Sequence, residues 1–488
     1  MTTKELLSGG LRIEAHKHRS TKAPIRRASP TDRYVMPLDQ HSGLPALPLV
    51  KPGDRVRMLQ PIAQPAPGIS AWLHSPASGE VIAIEPRPAP HRLGAPTLSI
   101  VIANDGRDER FENAAAIVSF EQISPTEACE HIARGGIVGL GGAAFPTANK
   151  LESSLCEQGP QLLLNGAECE PYISCDDMLM RERAEDIVFG ARALLHALCA
   201  PNCTIAIEDD VPEAQAALRQ ALEKAADSRI RIKVVPAIYP AGGERQLIAT
   251  VFGLEVPHDG LPADIGVVCQ NVGTAAAIAR WIRDGQPLVS RIVTVTGDGV
   301  REAGNFETRI GTPFSSLVAD CGGYTERMSR LIMGGSMMGS PLPIDDLPVV
   351  KATNCIIAAS ALDLQPRGLE MPCIRCGNCS QVCPAFLLPQ QLHWYLQPFD
   401  SEQLTRHGLL DCIECGCCDY VCPSQIPLAE RFREAKPVLA RELDAHLTAE
   451  ATRARFLARN ERLARLEAEH RAKLAEKRRP KGEPPSST

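Results

Sequence analysis

Two cysteine runs near the C-terminal end carry the clearest chemistry in the chain. They are Cys373-Ile-Arg-Cys376-Gly-Asn-Cys379-Ser-Gln-Val-Cys383-Pro384 and Cys412-Ile-Glu-Cys415-Gly-Cys417-Cys418-Asp-Tyr-Val-Cys422-Pro423. Each reads C-x-x-C-x-x-C-x-x-x-C-P. In that spacing three thiolates of one run wrap a [4Fe–4S] cubane and the fourth crosses to the cluster of the other run. The spacing predicts one centre on Cys373, Cys376, Cys379 and Cys422, and a second on Cys412, Cys415, Cys418 and Cys383. Pro384 and Pro423 stop the helical turn and leave no N–H unpaired. Zinc knuckles are the competing reading, but their motifs lack the evenly stepped third cysteine and the paired Cys-Pro. Cys417 falls off the spacing and reads as a bystander able to compete with Cys418.

A second constellation is spread over four loops. The first is Gly135-Gly-Ile-Val-Gly139-Leu-Gly141-Gly142-Ala-Ala-Phe145-Pro146-Thr-Ala-Asn-Lys150. Gly139, Gly141 and Gly142 let the backbone approach a ligand. Pro146 suits the first turn of a following helix whose free N–H groups could hold a phosphate, and Lys150 adds a positive charge. A helix rather than a strand precedes this loop, so it is not the dinucleotide fingerprint. The other three loops each follow a predicted strand: Asn165-Gly-Ala-Glu168-Cys-Glu170, Tyr239-Pro-Ala-Gly-Gly243-Glu244 and Gln270-Asn271-Val-Gly-Thr274. Open α/β sheets bind ligands at such loops, past the carboxyl ends of their strands. Each loop alone reads as an ordinary turn; together they predict one cofactor pocket.

The elements that must position these groups follow from the pattern around them. Residues 1–125 are rich in proline, glycine and short apolar runs such as Val81–Ile84 and Leu98–Ile102, and predict a barrel-sandwich-like β domain. Carriers of that shape present a lysine at a hairpin tip. Here the tip is Ala77-Ser78, so a docking or structural role is expected. Residues 126–285 alternate helix and strand and predict a Rossmann-like α/β domain. It opens on a helix cap, Ser124-Pro-Thr-Glu127, with strands at 161–165, 204–207, 230–235 and 265–269. Helices are expected at about 180–199, 212–226 and 244–252. Residues 286–362 turn β-rich, residues 363–430 hold the two-cluster ferredoxin-like domain, and 431–488 read as a long charged helix with a disordered tail.

Composition excludes several classes. The 488 residues carry a formal net charge of −6, which argues against a general nucleic-acid binder. No stretch reaches the ~18 apolar residues of a membrane span, and the first residues lack the apolar core of a signal peptide. Of 18 cysteines, eight fall in the two runs and the rest show no disulfide framework. The expectation is a reducing compartment, with membrane contact only through partners.

The cluster runs and the four loops occur together in one family. The chain closely resembles the RnfC subunits of Rnf (Rsx) ion-translocating electron-transport complexes along nearly its whole length. Its α/β, β-rich and cluster regions are also similar to the flavin-bearing NADH-oxidising subunit of respiratory complex I. That resemblance implies FMN on Gly139, Gly141, Gly142 and Lys150, with Phe145 stacking on the nucleotide. It carries further cofactor contacts to Asn165, Glu168, Glu170, Gly243, Glu244, Asn271 and Thr274. It also implies that residues 286–362 form the soluble-ligand-binding β-grasp domain. The sequence departs from complex I at Leu140, where an arginine is expected, at Ala167, an aspartate, and at Ala144 and Ala148, glycines. The implied protein is a peripheral electron-entry subunit on the cytoplasmic face of the bacterial inner membrane. It passes electrons between NADH and partner subunits through FMN and two [4Fe–4S] clusters. The partners expected are the membrane and iron–sulfur or flavin subunits of the complex, with no nucleic acid. Glu244 and Glu168 are the candidate catalytic residues, facing ribose or nicotinamide donors. The alternatives are a soluble NADH or ferredoxin oxidoreductase, and a non-catalytic electron-relay adaptor.

Overall fold

The computed structural model describes residues 9–90, 95–112, 120–154, 159–258, 260–364 and 368–477. The basic tail beyond 477 lies outside them. The chain divides into two compact units, Met1–Phe386 with Cys415–Ile426, and Leu387–Glu414 with Pro427–Thr488.

In the first unit the N-terminal region builds two small antiparallel sheets. One orders its strands Arg33–Pro37, Pro96–Asn104, Gly79–Pro88, Arg55–Val56; the other Leu47–Pro48, Pro61–Gln64, Leu73–His74. Alternating residues Met36, Ile62, Leu73, Val81, Ile100 and Ile102 face inward and are almost fully buried. Ala77 and Ser78 are buried too, and Ser78 is bonded to Asp105 at 2.6 Å, so no hairpin tip is presented to solvent.

The α/β region holds a four-stranded parallel sheet, Ile230–Val235, Cys203–Glu208, Gln161–Gly166, Val267–Asn271 in spatial order. In chain order this is third, second, first, fourth, so the winding reverses between Gln161–Gly166 and Val267–Asn271. The loops leaving these two strands diverge and open a crevice at their carboxyl ends. The capping box at Ser124 and Glu127 forms as expected and starts the helix Pro125–Arg134. Two expectations shift. The helix expected at 180–199 is two helices, Cys175–Glu182 and Ala184–Ala197, parted where Arg183 leaves helical geometry and pairs with Glu307 at 2.5 Å. The last strand starts at Val267 rather than 265, because Pro262–Ile265 form a 3-10 turn that ends on left-handed Gly266.

Residues 290–360 form a mixed sheet with the hairpin Ser290–Thr296/Gly304–Arg309, the helix Phe314–Asp320 and the strand Cys355–Ser360 returning parallel to the first. Its edge is not local. Arg26–Arg27 pairs parallel to Gly304–Arg309. The segment before it runs along the α/β region: Leu11 pairs with Tyr239, Tyr172 N–H donates to the Ala15 carbonyl, and Arg19 reaches Asp298 and Asp363. Residues 9–29 thus serve as a strap rather than as part of the β domain.

In the second unit the helix Leu428–Lys477 begins three residues before the expected boundary. Its first turns bury Leu428, Phe432 and Leu439, and its later turns are exposed. Among the described residues no helix is long and apolar enough to cross a membrane.

Candidate functional site

The four loops converge at the carboxyl end of the parallel sheet. The glycine loop closes on itself through Gly139 N–H to the Phe145 carbonyl, 2.8 Å, and Phe145 is half-buried. It is tied to the fourth loop by Leu140 N–H donating to Thr274 Oγ1 at 3.0 Å. From the third sheet the buried Arg291 donates to the Leu140 carbonyl at 3.1 Å. A Cβ on Gly141 would stand 3.5 Å from the Asn271 amide. Gly141 and Gly142 are exposed, and Gly142, at φ +114°, has open space where a side chain would stand. This is exposed, pinned backbone at the reversal point of the sheet, which suits a flavin nucleotide. The helix after it, Thr147–Glu152, is short, so its dipole adds little to the expected phosphate contact.

Asn165 and Asn271 hold the frame. Asn165 Nδ2 donates to the Gly242 carbonyl, 2.8 Å, drawing the third loop across to the first strand. Asn271 caps its own helix through Gly273 N–H, 2.8 Å, and donates to Asp176 Oδ2, 2.6 Å. Gly243 precedes the helix that starts at Glu244. Lys150 Nζ and Glu244 Oε1 form an ion pair of 2.5 Å between the first and third loops.

Glu168 is bound by its surroundings. Its carboxylate accepts from Asp176 N–H at 3.0 Å, Asp177 N–H at 3.3 Å and the Cys175 thiol at 3.3 Å, all at the start of the helix Cys175–Glu182. Burial and then the neighbouring Asp176 carboxylate push Glu168 up to about 8, against the pull of Lys17. Lys17, from the N-terminal strap, donates to the Glu168 carbonyl at 2.5 Å and to Glu208 at 3.2 Å. Burial opposes its charge, but Glu208 and Glu168 offset that and hold its pKa above the ordinary value. Glu170 is engaged elsewhere: it accepts from Met337 and Met338 N–H at 2.7 and 2.8 Å. A Cβ on Gly335 would fall 1.9 Å from its side chain, so only glycine fits there.

The two cysteine runs share one backbone. Left-handed residues recur at matching positions, Arg375, Gly377 and Phe386 in the first and Glu414, Gly416 and Gln425 in the second. In each run the glycine opens a one-turn helix, Asn378–Gln381 or Cys417–Tyr420. Non-glycine residues rarely hold positive φ, so the repeat at Arg375 and Glu414 marks a chain wound for a purpose. Thiolates on a single zinc ion lie roughly 3.8 Å apart, given a Zn–S bond of about 2.3 Å. Among the described residues, three donor atoms within 4.8 Å of one another occur at Glu168, Cys175 and Asp176, not in these runs. Wider-set thiols in two repeated turns fit cubanes better than mononuclear zinc.

Sequence reading missed Lys17, Tyr239, Asp176 and Arg291. Tyr239 O–H donates to the Cys415 carbonyl at 2.6 Å, and its pKa is raised by burial and by Glu170 beside it.

Family models match the same regions. Residues 132–280 match the Nuo51 FMN-binding domain, 6–107 the RnfC barrel sandwich hybrid domain, 292–341 the SLBB domain and 372–426 a 4Fe-4S dicluster domain. The chain is 48% identical over 465 residues to the RnfC subunit of the ion-translocating oxidoreductase complex of Pseudomonas aeruginosa, covering 95% of this chain and 60% of that one. It is 43% identical over 475 residues to the corresponding subunit from Serratia proteamaculans, covering 97% and 66%. Among solved structures, an NAD+-reducing [NiFe]-hydrogenase in the H2-reduced state gives a TM-score of 0.46 at 19% identity, over 68% of this chain and 62% of that one, too distant to define a shared fold. The class is therefore an FMN-domain and iron–sulfur electron-transfer subunit. Within it, the chain belongs to the RnfC family of ion-translocating oxidoreductase complexes. It spans 60 to 66% of the length of these two relatives.

Proposed function

We propose that this chain is a peripheral electron-entry subunit of an Rnf-type complex, linking NADH to partner subunits. The observation that carries this reading is the convergence of exposed Gly141 and Gly142, Lys150, Asn271 and Glu244 at the reversal point of a parallel sheet, on a chain that also holds two cluster runs. When bound, FMN supplies the conversion of a two-electron hydride into single electrons, which iron–sulfur clusters carry one at a time. The chain's own residues bind and orient. Gly139, Gly141 and Gly142 offer the backbone face, Lys150 its charge, and Glu244 and Glu168 carboxylates for ribose or nicotinamide donors. Asn165, Thr274 and Gly243 fix the loops, and Phe145 is the aromatic nearest the glycine turn in sequence. The eight cysteines Cys373, Cys376, Cys379, Cys383, Cys412, Cys415, Cys418 and Cys422 would hold two clusters.

Several features support the finer architecture within this reading. The strand order favours a Rossmann-like α/β domain, and the hairpin, helix and parallel return favour a β-grasp domain at 286–362. The five regions 1–125, 126–285, 286–362, 363–430 and 431–488 are the proposed division. The lack of any spanning helix among the described residues fits a subunit held at the cytoplasmic face of the inner membrane by its partners. The relay-only alternative has one observation in its favour: Lys150 and Glu244 already neutralise each other.

The test is the absorbance spectrum of the purified, anaerobically reconstituted chain. Flavin bands beside the cluster absorbance, bleached by NADH, are expected; cluster absorbance without flavin after FMN loading selects the relay reading.

A further inference from the structure

The two cysteine runs are repeats, yet their surroundings are not alike. Cys415 and Cys418 are buried, whereas Cys376 is exposed and Cys373, Cys379 and Cys422 are partly so. Beside the first run, Leu369, Met371 and Ile374 are 88, 58 and 66% exposed, so no described part of this chain covers it. The second run is held by the loops of the parallel sheet. Tyr239, five residues before Glu244 on the third loop, donates its O–H to the Cys415 carbonyl at 2.6 Å. The next residue, Gly416, faces Met337, whose N–H is held by Glu170 of the second loop.

Cys383 belongs to the first run by position but, by spacing, to the same ligand set as Cys415 and Cys418. It too is held from the α/β side. Gly10 N–H donates to the Val382 carbonyl at 2.9 Å, and a Cβ on Gly9 would collide with the Cys383 carbonyl at 2.7 Å. The next residue, Leu11, pairs in both directions with Tyr239, at 2.7 and 3.0 Å. The strap and the third loop therefore grip cysteines of one ligand set only.

We propose that Tyr239 is a positioning residue that fixes the Cys383/Cys412/Cys415/Cys418 set against the pocket loops. That set is the inner one, and Cys373/Cys376/Cys379/Cys422 is the outward set, presented to a redox partner. The order rests on the flavin reading above. The inner and outward placement does not, and is tested without flavin or NADH.

The full chain is reconstituted with iron and sulfide and reduced with dithionite, and its cluster EPR signals are recorded with and without a soluble dysprosium chelate. Cys376→Ala and Cys415→Ala assign the signals; Cys→Ser at the same positions, which keeps an oxygen ligand, assigns them if alanine empties both sites. The signal lost in Cys376→Ala is expected to relax more strongly with dysprosium than the signal lost in Cys415→Ala. Equal or reversed relaxation overturns the placement. Tyr239→Phe, which keeps the ring and removes the hydrogen bond, is expected to shift the g-values and midpoint potential of the Cys415 signal alone. Unchanged signals, or equal shifts in both, overturn the positioning role. A chain that fails only to bleach with NADH, while passing both tests, counts against the flavin reading and not against this one.

Discussion

Lys150 Nζ and Glu244 Oε1 lie 2.5 Å apart, so two residues separated by 94 positions in the chain clasp the first and third loops of the sheet together. Their side chains remain 26 and 40% exposed, and the clasp is open to exchange for a ligand. A phosphate arriving at Lys150 competes with Glu244, and freeing Glu244 leaves a carboxylate for donor groups of a nucleotide. The pair thus couples the two halves of the pocket.

The clasp makes opposite predictions for its two members. Lys150→Ala removes a charge-assisted hydrogen bond worth about 1.5–3 kcal/mol, and FMN affinity should fall roughly tenfold to a hundredfold. Glu244→Gln frees Lys150, so FMN should bind at least as well while its reduction by NADH slows. Fluorescence titration of FMN measures the first effect and stopped-flow absorbance the second. Equal FMN affinity in wild type and Lys150→Ala contradicts the assignment.

Lys17 sits with Glu208 in a buried pair, their side chains 10 and 2% exposed. Removing one partner of such a pair costs about 3–5 kcal/mol, because the other charge stays buried alone. Lys17→Met should lower the urea midpoint by a corresponding amount, and Lys17→Met with Glu208→Gln should recover part of the loss. A single variant as stable as wild type shows that the strap is not anchored here.

Glu168 gives the pH dependence its sign. Its folded pKa, about 8, lies above the ordinary carboxylate value of 4.5, so the folded state holds the proton more tightly than the unfolded chain. The stability it contributes is complete below pH 4.5 and is lost as pH rises through 8. Glu168→Gln should flatten that decline in urea denaturation across the window. A decline of the same slope in the variant assigns it to another group.

The cysteine runs predict iron content directly. Cys376→Ala and Cys415→Ala should each lose about half the iron of the reconstituted chain, as expected for two separate cubanes. Cys417 is fully buried inside the second run yet off the ligand spacing, and Cys417→Ala should keep both clusters. Zinc in place of iron, or loss of a cluster in Cys417→Ala, contradicts the ligand sets.

What the sequence made legible and what it hid divide along physical lines. The cluster cysteines could be read because their spacing is dictated locally by the cubane, within a dozen residues. The strands could be read from apolar runs such as Gln161–Gly166, and the loops because they end those strands. Tyr239 could not: its partner, Cys415, lies 176 residues away. Lys17 sits in a segment that looks like part of a β domain and meets Glu208 across 191 residues. Arg291 reads as a strand residue and turns out to brace the glycine loop at Leu140. Glu170 had the right loop and the right charge, but the Met337–Met338 turn takes its carboxylate. Fold class is local patterning, whereas the site is completed by long-range pairs that leave no periodic mark.

The central claim is that electrons enter through the pocket formed by the four loops. The most direct measurement is anaerobic stopped-flow mixing of NADH with the reconstituted chain, loaded with FMN or stripped of it, following flavin and cluster absorbance together. The account predicts that flavin bleaches first and clusters follow in the loaded protein, and that clusters stay oxidised in the stripped one. Clusters reduced equally fast without flavin contradict it.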